Sequence, residues 1–123
     1  MYDLREISTN TELKEYILEK LARAGITESE MGFRIHFGDE RCNHVQTYAY
    51  CENGKYCYRY FGIRESECFF CAYDTKEELL KQVIEDIAVV KFCYGKTAKK
   101  CEEYALELAL QIDDKVVELL KRE

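Results

Sequence analysis

The sequence predicts an α+β domain: a two-layer, four-stranded antiparallel meander with one N-terminal and two C-terminal helices. Apolar residues recur with a helical period at both ends of the chain and with a period of two in its middle. Short polar links separate the middle segments, and consecutive strands joined by short links usually pair as antiparallel neighbours. The 123 residues contain no linker-like stretch, so a single domain spanning 1–123 is expected.

The first element is a helix that begins at a capping box. Thr9 and Glu12 have the T-x-x-E spacing in which each side chain accepts a hydrogen bond from the backbone N–H of the other residue. An apolar stripe follows at helical spacing: Leu13, Tyr16, Ile17, Leu21 and Ala24. Gly25 stands where a left-handed residue would end the helix.

The middle of the chain predicts four strands. The first is indicated by alternating apolar residues, Phe33, Ile35 and Phe37. Asn53-Gly54 then predicts a type I′ hairpin between residues 45–52 and 55–63, because both central positions of that turn need a positive φ. A fourth strand is expected at residues 68–73.

The hairpin turn also predicts which side chains share a face. Glu52 must oppose Lys55, and Tyr56, Tyr58 and Tyr60 then lie on one face beside small residues. Helices cover one side of a small sheet more easily than both, so some aromatic surface is expected to stay open as a contact surface. The alternative is that tyrosine simply forms good strands beside small cross-strand partners.

Two helices are expected to close the chain. Thr75 and Glu78 repeat the capping box, and a helix whose buried face holds Leu80, Val83, Ile84, Ile87 and Ala88 follows. Gly95 interrupts it, and a long amphipathic helix runs from Ala98 to Leu119. The acidic pairs of the helices are interpreted as solvated surface: Glu15/Glu19, Glu85/Asp86 and Asp113/Asp114.

Charge and composition exclude several classes of function. The chain has 18 Lys and Arg against 24 Asp and Glu, a net charge of −6 that disfavours binding to a nucleic-acid backbone. No apolar run is long enough to cross a membrane, and the start of the chain lacks the features of a secretory signal. A cytoplasmic location is therefore expected, with the seven cysteines reduced.

No catalytic or metal-binding motif is found. The chain has two histidines, and neither stands at a recognisable spacing from a nucleophile and an orienting acid; His36 is interpreted as a surface residue. Cys68 and Cys71 have C-x-x-C spacing, but residues three apart in a strand point to opposite faces, which argues against a shared metal ion. The chain is predicted not to be an enzyme and to need no cofactor. The alternative is a cysteine-bearing module that responds to a metal or small ligand.

Three segments resemble the small cytosolic immunity proteins that accompany bacterial polymorphic and contact-dependent toxins. They are the aromatic strand 55–62, the turn and helix start 74–80, and the helix through 84–88. The resemblance implies an acidic single domain that binds a cognate toxin domain and occludes its active surface. The seven cysteines depart from this pattern, because that role does not require them.

The hypothesis names a partner and a surface. Toxins that act on nucleic acid carry basic surfaces, so a basic toxin domain would be steered toward an acidic inhibitor. An aromatic centre with charged groups around it would supply specificity. The expected contact residues are Tyr56, Tyr58 and Tyr60 as anchors, with Asp39, Glu40, Glu65 and Glu67 as the rim.

Overall fold

A computed structural model describes residues 3–62, 68–92 and 98–122 of the chain. Its elements are α1 (Asn10–Arg23), a 3₁₀ turn (Glu28–Glu30), β1 (Ile35–Phe37), β2 (Thr47–Glu52), β3 (Lys55–Tyr60), β4 (Phe69–Tyr73), α2 (Lys76–Phe92), α3 (Ala98–Ile112) and α4 (Asp114–Lys121). The predicted α+β class is confirmed. None of the helices in these ranges combines the length and the apolar character that crossing a bilayer demands.

The four strands form one open sheet in the order β1-β2-β3-β4. The pairs β2–β3 and β3–β4 are antiparallel, whereas β1 runs parallel to β2. The prediction of a purely antiparallel meander is therefore wrong at the first strand. Segment 38–46 is not a tight polar turn but a longer loop, which lets the chain return along β1 before β2 begins.

The β2–β3 hairpin has the predicted turn and register. Asn53 and Gly54 have φ angles of 52° and 76°, as a type I′ turn requires. The pairing runs from Glu52 opposite Lys55 at the turn to Thr47 opposite Tyr60 at the far end. The predicted link at residues 64–67 lies outside the described residues.

Both capping boxes are confirmed. Thr9 Oγ1 accepts from the Glu12 N–H at 3.1 Å, and Glu12 Oε1 accepts from the Thr9 N–H at 3.2 Å. Thr75 and Glu78 make the same reciprocal pair, with both distances 3.2 Å. Gly25 follows the C-cap of α1 with a φ of 73°. These local signals therefore fix where α1 begins and ends and where α2 begins.

Within residues 68–92 and 98–122 the structure has three helices, α2, α3 and α4, rather than the predicted two. The predicted helix from Ala98 to Leu119 is broken at Asp113, whose backbone is extended with φ −159° and ψ 128°. The Asp113 carboxylate accepts from the Lys115 N–H at 2.8 Å and so caps α4. The predicted interruption at Gly95 lies outside the described residues.

The helices pack on one face of the sheet. In the main core, α1 lies chiefly on β1 and β2, α2 lies on β3 and β4, and α3 and α4 pack against α2. The opposite face carries a smaller cluster, Tyr48, Tyr50 and Cys57, against which Cys42, Val45 and Phe61 pack. Segment 38–46 reaches this outer face, where the Cys42 N–H donates to the Tyr48 hydroxyl at 3.1 Å. Each face of the sheet is thus covered in part.

A buried ion cluster joins α1 to the start of α4. Lys20 lies in the apolar stripe of α1 and is 1% exposed. Its Nζ is 3.0 Å from Asp3 Oδ2 and 3.1 Å from Asp113 Oδ2, both on nearly buried side chains. The interpretation of Asp113 as a solvated acid is therefore wrong. Hydrogen bonds from Arg5, opposed by burial, hold the pKa of Asp3 well below its usual range.

Candidate functional site

A cleft of about 950 Å³ opens between the sheet and α2, at the end of the sheet that is far from the hairpin turn. Its sheet side is built by Thr47, Tyr60 and Phe69, which are register partners across β2, β3 and β4. Tyr58, two residues before Tyr60 on the same face of β3, also lines the cleft. Three neighbouring strands therefore supply one wall.

The opposite wall is one face of α2. Gln82, Asp86, Val89 and Val90 line the cleft, and their spacing of four, seven and eight residues places them on the same side of a helix. The interpretation of the pair Glu85/Asp86 as solvated surface is wrong for Asp86, because its side chain lines the cleft and is partly buried.

A chain of hydrogen bonds crosses the cleft from the sheet to α2. The Tyr58 hydroxyl donates to Asp86 Oδ2 at 2.5 Å, and Gln82 Nε2 donates to Asp86 Oδ1 at 3.1 Å. The Tyr73 hydroxyl in turn donates to Gln82 Oε1 at 2.8 Å. Both oxygens of the Asp86 carboxylate are thus held by donors that carry no charge.

Burial governs the ionisation of this pair. Desolvation raises the pKa of Asp86, and the hydrogen bonds from Tyr58 and Gln82 only partly oppose it. Desolvation also raises the pKa of Tyr58 well above its ordinary value, with the nearby Asp86 carboxylate adding to the shift. The tyrosine therefore stays a proton donor at neutral pH, and burial disfavours the charged form of the carboxylate.

A third wall is formed by the segments 32–34 and 41–46. Its exposed cations, Arg34 and Arg41, lie in the middle region of this acidic protein, where the charges of residues 32–73 sum to zero. The Arg41 guanidinium is 4.7 Å from the centre of the Phe61 ring, a cation–π distance that fixes it toward the outer face of the sheet. Positive charge therefore lies at the rim of the cleft and negative charge lies deeper.

Gly32 closes the end of the cleft against α2, and alanine should not be tolerated there. Gly32 has a φ of 87°, and a Cβ added to it would lie 2.5 Å from Val90 Cγ1. Gly25 is a matched control, because its φ is 73° but nothing lies within 4 Å of an added Cβ. We expect Gly25→Ala to lower the free energy of unfolding by about 1 kcal/mol through backbone strain alone.

Gly32→Ala should lower the free energy of unfolding by about 1 kcal/mol more than Gly25→Ala, because overpacking against Val90 adds to the same strain. Urea unfolding of the two variants measures the difference. Equal losses would show that α2 moves away from Gly32 at no cost.

Exposed apolar side chains gather at the mouth of the cleft. Tyr60 (36% exposed), Phe69 (43%) and Val89 (54%) line it. Phe70 (54%) follows Phe69 on β4 and points to the opposite face of the sheet, opposite Arg59. The other large apolar side chains exposed in the described part of the chain are Leu4 and Leu110. Three exposed apolar side chains therefore lie together at this end of β3, β4 and α2.

The three tyrosines predicted as anchors lie on the face that the helices cover. Tyr58 is 1% exposed, and the Tyr56 hydroxyl donates to the Ile7 carbonyl oxygen at 2.9 Å. The three therefore do not form one exposed patch: Tyr58 is buried, Tyr56 is partly buried and Tyr60 is exposed. The reason is geometric: the register places them on one face but does not tell which face the helices cover.

The predicted acidic rim is divided between two regions. Asp39 and Glu40 are exposed in the loop between β1 and β2, but neither lines the cleft. Glu65 and Glu67 lie outside the described residues. The cleft takes its described rim charges instead from Arg34 and Arg41.

One contact that sequence reasoning missed is a thiol beside an imidazole. Cys42 Sγ lies 3.2 Å from His36 Nδ1, and Cys42 lines the cleft. His36 is not a free surface residue as predicted, because it is partly buried, its ring meets Tyr48 edge-on, and its Nε2 is buried without a hydrogen-bond partner among the described residues. The pair supplies a thiol and a base, but within those residues no third group orients the imidazole.

The cysteines of the C-x-x-C segment do not meet. Cys68 is exposed just before β4, and Cys71 is partly buried within β4. Across residues 3–62, 68–92 and 98–122, no three His, Cys, Asp or Glu side chains are grouped so that they could hold a metal ion.

Comparison of the chain with protein-family models, with curated proteins and with solved structures finds no match. The function proposed below therefore rests on the side chains that line the cleft and on those exposed at its rim.

Proposed function

We propose that this chain is a binding protein of the immunity type, which attaches to a cognate toxin domain and occludes the toxin's active surface. The supporting observation is the patch formed by Tyr60, Phe69 and Val89 at the mouth of the cleft, hereafter the aromatic patch. An aromatic patch at the mouth of a cleft is typical of a surface that binds another protein, because aromatic side chains dominate such contacts.

The end strand of the sheet strengthens this proposal. β4 has the sequence FFCAY, with no charge and no proline, and in the described part of the chain it pairs only with β3. Natural proteins usually protect such an edge with charges or prolines, because its free backbone groups can pair with another chain. One residue of the aromatic patch, Phe69, lies on this edge strand, and the exposed Phe70 beside it points to the other face of the sheet.

Charge supports a basic partner. The protein carries a net charge of −6, so it would attract a positively charged domain before the two proteins come into contact. The attraction raises the association rate, and the aromatic patch supplies the contact area that holds the complex together. On this proposal the protein acts in the cytoplasm and binds its partner without chemical change.

The test is a growth-rescue experiment with the C-terminal domain of the protein encoded immediately upstream of this chain's gene. That domain should arrest growth when expressed alone, and co-expression of the chain should restore growth. A stable complex of the two purified proteins should follow. Absence of a growth-arresting domain in that position, or lack of rescue and of complex formation, would contradict the immunity role.

Matched substitutions test the surface. Val89→Ser, on α2 in the aromatic patch, should weaken the complex about tenfold or more, because it adds a polar group to the centre of the contact. Leu110→Ser is the control, since Leu110 is 63% exposed on α3 and does not line the cleft. Isothermal titration measures both affinities. Equal affinities would show that the partner binds elsewhere.

A further inference from the structure

The cleft contains a carboxylate whose own hydrogen-bond donors carry no charge. Asp86 accepts from the Tyr58 hydroxyl at Oδ2 and from Gln82 Nε2 at Oδ1, and neither donor can neutralise a negative charge on it. No cation of the described residues lies within ion-pair distance of Asp86. A buried carboxylate without a cation destabilises the fold, so its presence in a cleft indicates a use in binding.

The surroundings of Asp86 suit a positively charged group. The rings of Tyr58, Tyr60 and Phe69 line the same cleft, and aromatic faces attract cations. A carboxylate at depth with aromatic rings around it provides a charge partner and an apolar lining for the methylene stem of a long basic side chain. The two neighbouring valines of α2, Val89 and Val90, extend that apolar lining.

The arginines of the rim set a limit on this attraction. Arg34 and Arg41 are exposed, so water and salt screen their repulsion of an incoming cation. Asp86 is partly buried, so water and salt screen its charge less than they screen the exposed arginines. A charge pair formed at Asp86 is therefore stronger than one formed at the rim. The cleft therefore favours a cation that reaches past the rim to the carboxylate.

We propose that the cleft accepts a lysine or arginine side chain of the partner protein and pairs it with Asp86. This inference rests on the proposed function, since it specifies how the basic partner is recognised at the aromatic patch. The partner's methylene stem would lie against Phe69 and Val89, and its charged end would reach the Asp86 carboxylate between Tyr58 and Gln82.

The first experiment uses small probes in place of the partner. The side-chain mimics n-butylammonium and methylguanidinium are titrated into the isotopically labelled protein, with n-butanol and N-methylurea as neutral counterparts. We expect saturable chemical-shift changes at the Gln82 side-chain amide and the Val89 backbone with the cations, and much smaller changes with the neutral probes.

Two isosteric variants locate the charge. Asp86→Asn keeps the acceptor for Tyr58 and removes the charge, so it should reduce the affinity for the cations about tenfold. Glu85→Gln removes a neighbouring carboxylate of α2 that does not line the cleft, and the affinity should stay within about twofold. Equal affinities of these variants, or no cation-specific shift in the native protein, would overturn the inference.

The complex with the toxin domain separates this inference from the proposed function. If Val89→Ser weakens the complex and Asp86→Asn does not, the partner binds the aromatic patch without placing a basic side chain on Asp86. In that case the proposed function stands and the inference is wrong. If the probes bind at Asp86 but no toxin domain forms a complex, the proposed function fails while the cation site remains.

Discussion

Replacing Lys20 with methionine should lower the free energy of unfolding by about 3–5 kcal/mol. Methionine keeps an unbranched apolar stem in the core, so the loss of unfolding free energy reports the contribution of the lysine's ammonium group. Without that group Asp113 loses its cation although its side chain is buried, whereas Asp3 keeps the ion pair with Arg5. Removing one partner of a buried ion pair is costly because the remaining charge has no compensation. Urea unfolding at neutral pH measures the loss.

Two further variants test this explanation. Lys14→Met changes an exposed lysine of the same helix and should alter the free energy of unfolding by less than about 0.5 kcal/mol. Adding Asp113→Asn to Lys20→Met should restore part of the stability, because asparagine can still cap α4 while one uncompensated charge is removed. A double variant no more stable than Lys20→Met alone would show that packing, not charge, causes the loss.

The local elements of this fold could be predicted because their signals lie within a few residues of the structure they specify. The Thr9–Glu12 box, the Asn53-Gly54 turn and the hairpin register depend only on hydrogen bonds and φ angles between near neighbours. The direction of β1 depends instead on the path of segment 38–46, whose length allows either orientation. Pattern alone therefore located the strand but not its direction.

The candidate site escaped prediction for a related reason. Asp86 and Asp113 sit beside other acids in the sequence and have the composition of solvated helix faces, yet each is drawn inward by a partner far along the chain. Tyr58 is separated from Asp86 by 28 positions, and Lys20 is separated from Asp113 by 93. The spacing of Gln82, Asp86, Val89 and Val90 on one face of α2 was the available signal, because a mixed polar and apolar stripe is typical of a cleft wall.

Replacing Tyr58 with phenylalanine should lower the free energy of unfolding by about 2–3 kcal/mol at pH 7, and by less in acid. The hydroxyl donates to a charged Asp86 at 2.5 Å, and hydrogen bonds to charged groups are the stronger ones. Tyr73→Phe is the matched control, because its hydroxyl donates to the neutral Gln82 amide oxygen. That loss should be about 1 kcal/mol and independent of pH between 3 and 8.

The pH dependence follows from the raised pKa of Asp86. Because the folded-state pKa lies above the unfolded value, protonation of Asp86 favours folding, and the native protein loses this contribution as pH rises from the unfolded pKa of 3.8 through the folded one. Removing the Tyr58 hydroxyl takes away a bond that favours the charged form, so it raises the pKa further and adds to the loss at neutral pH. Asp86→Asn should therefore unfold at a higher urea concentration than the native protein at pH 7 and at a similar one near pH 3. A loss in Tyr58→Phe that is the same at both pH values would show that the charge of Asp86 does not change between them, and it would contradict this pH dependence.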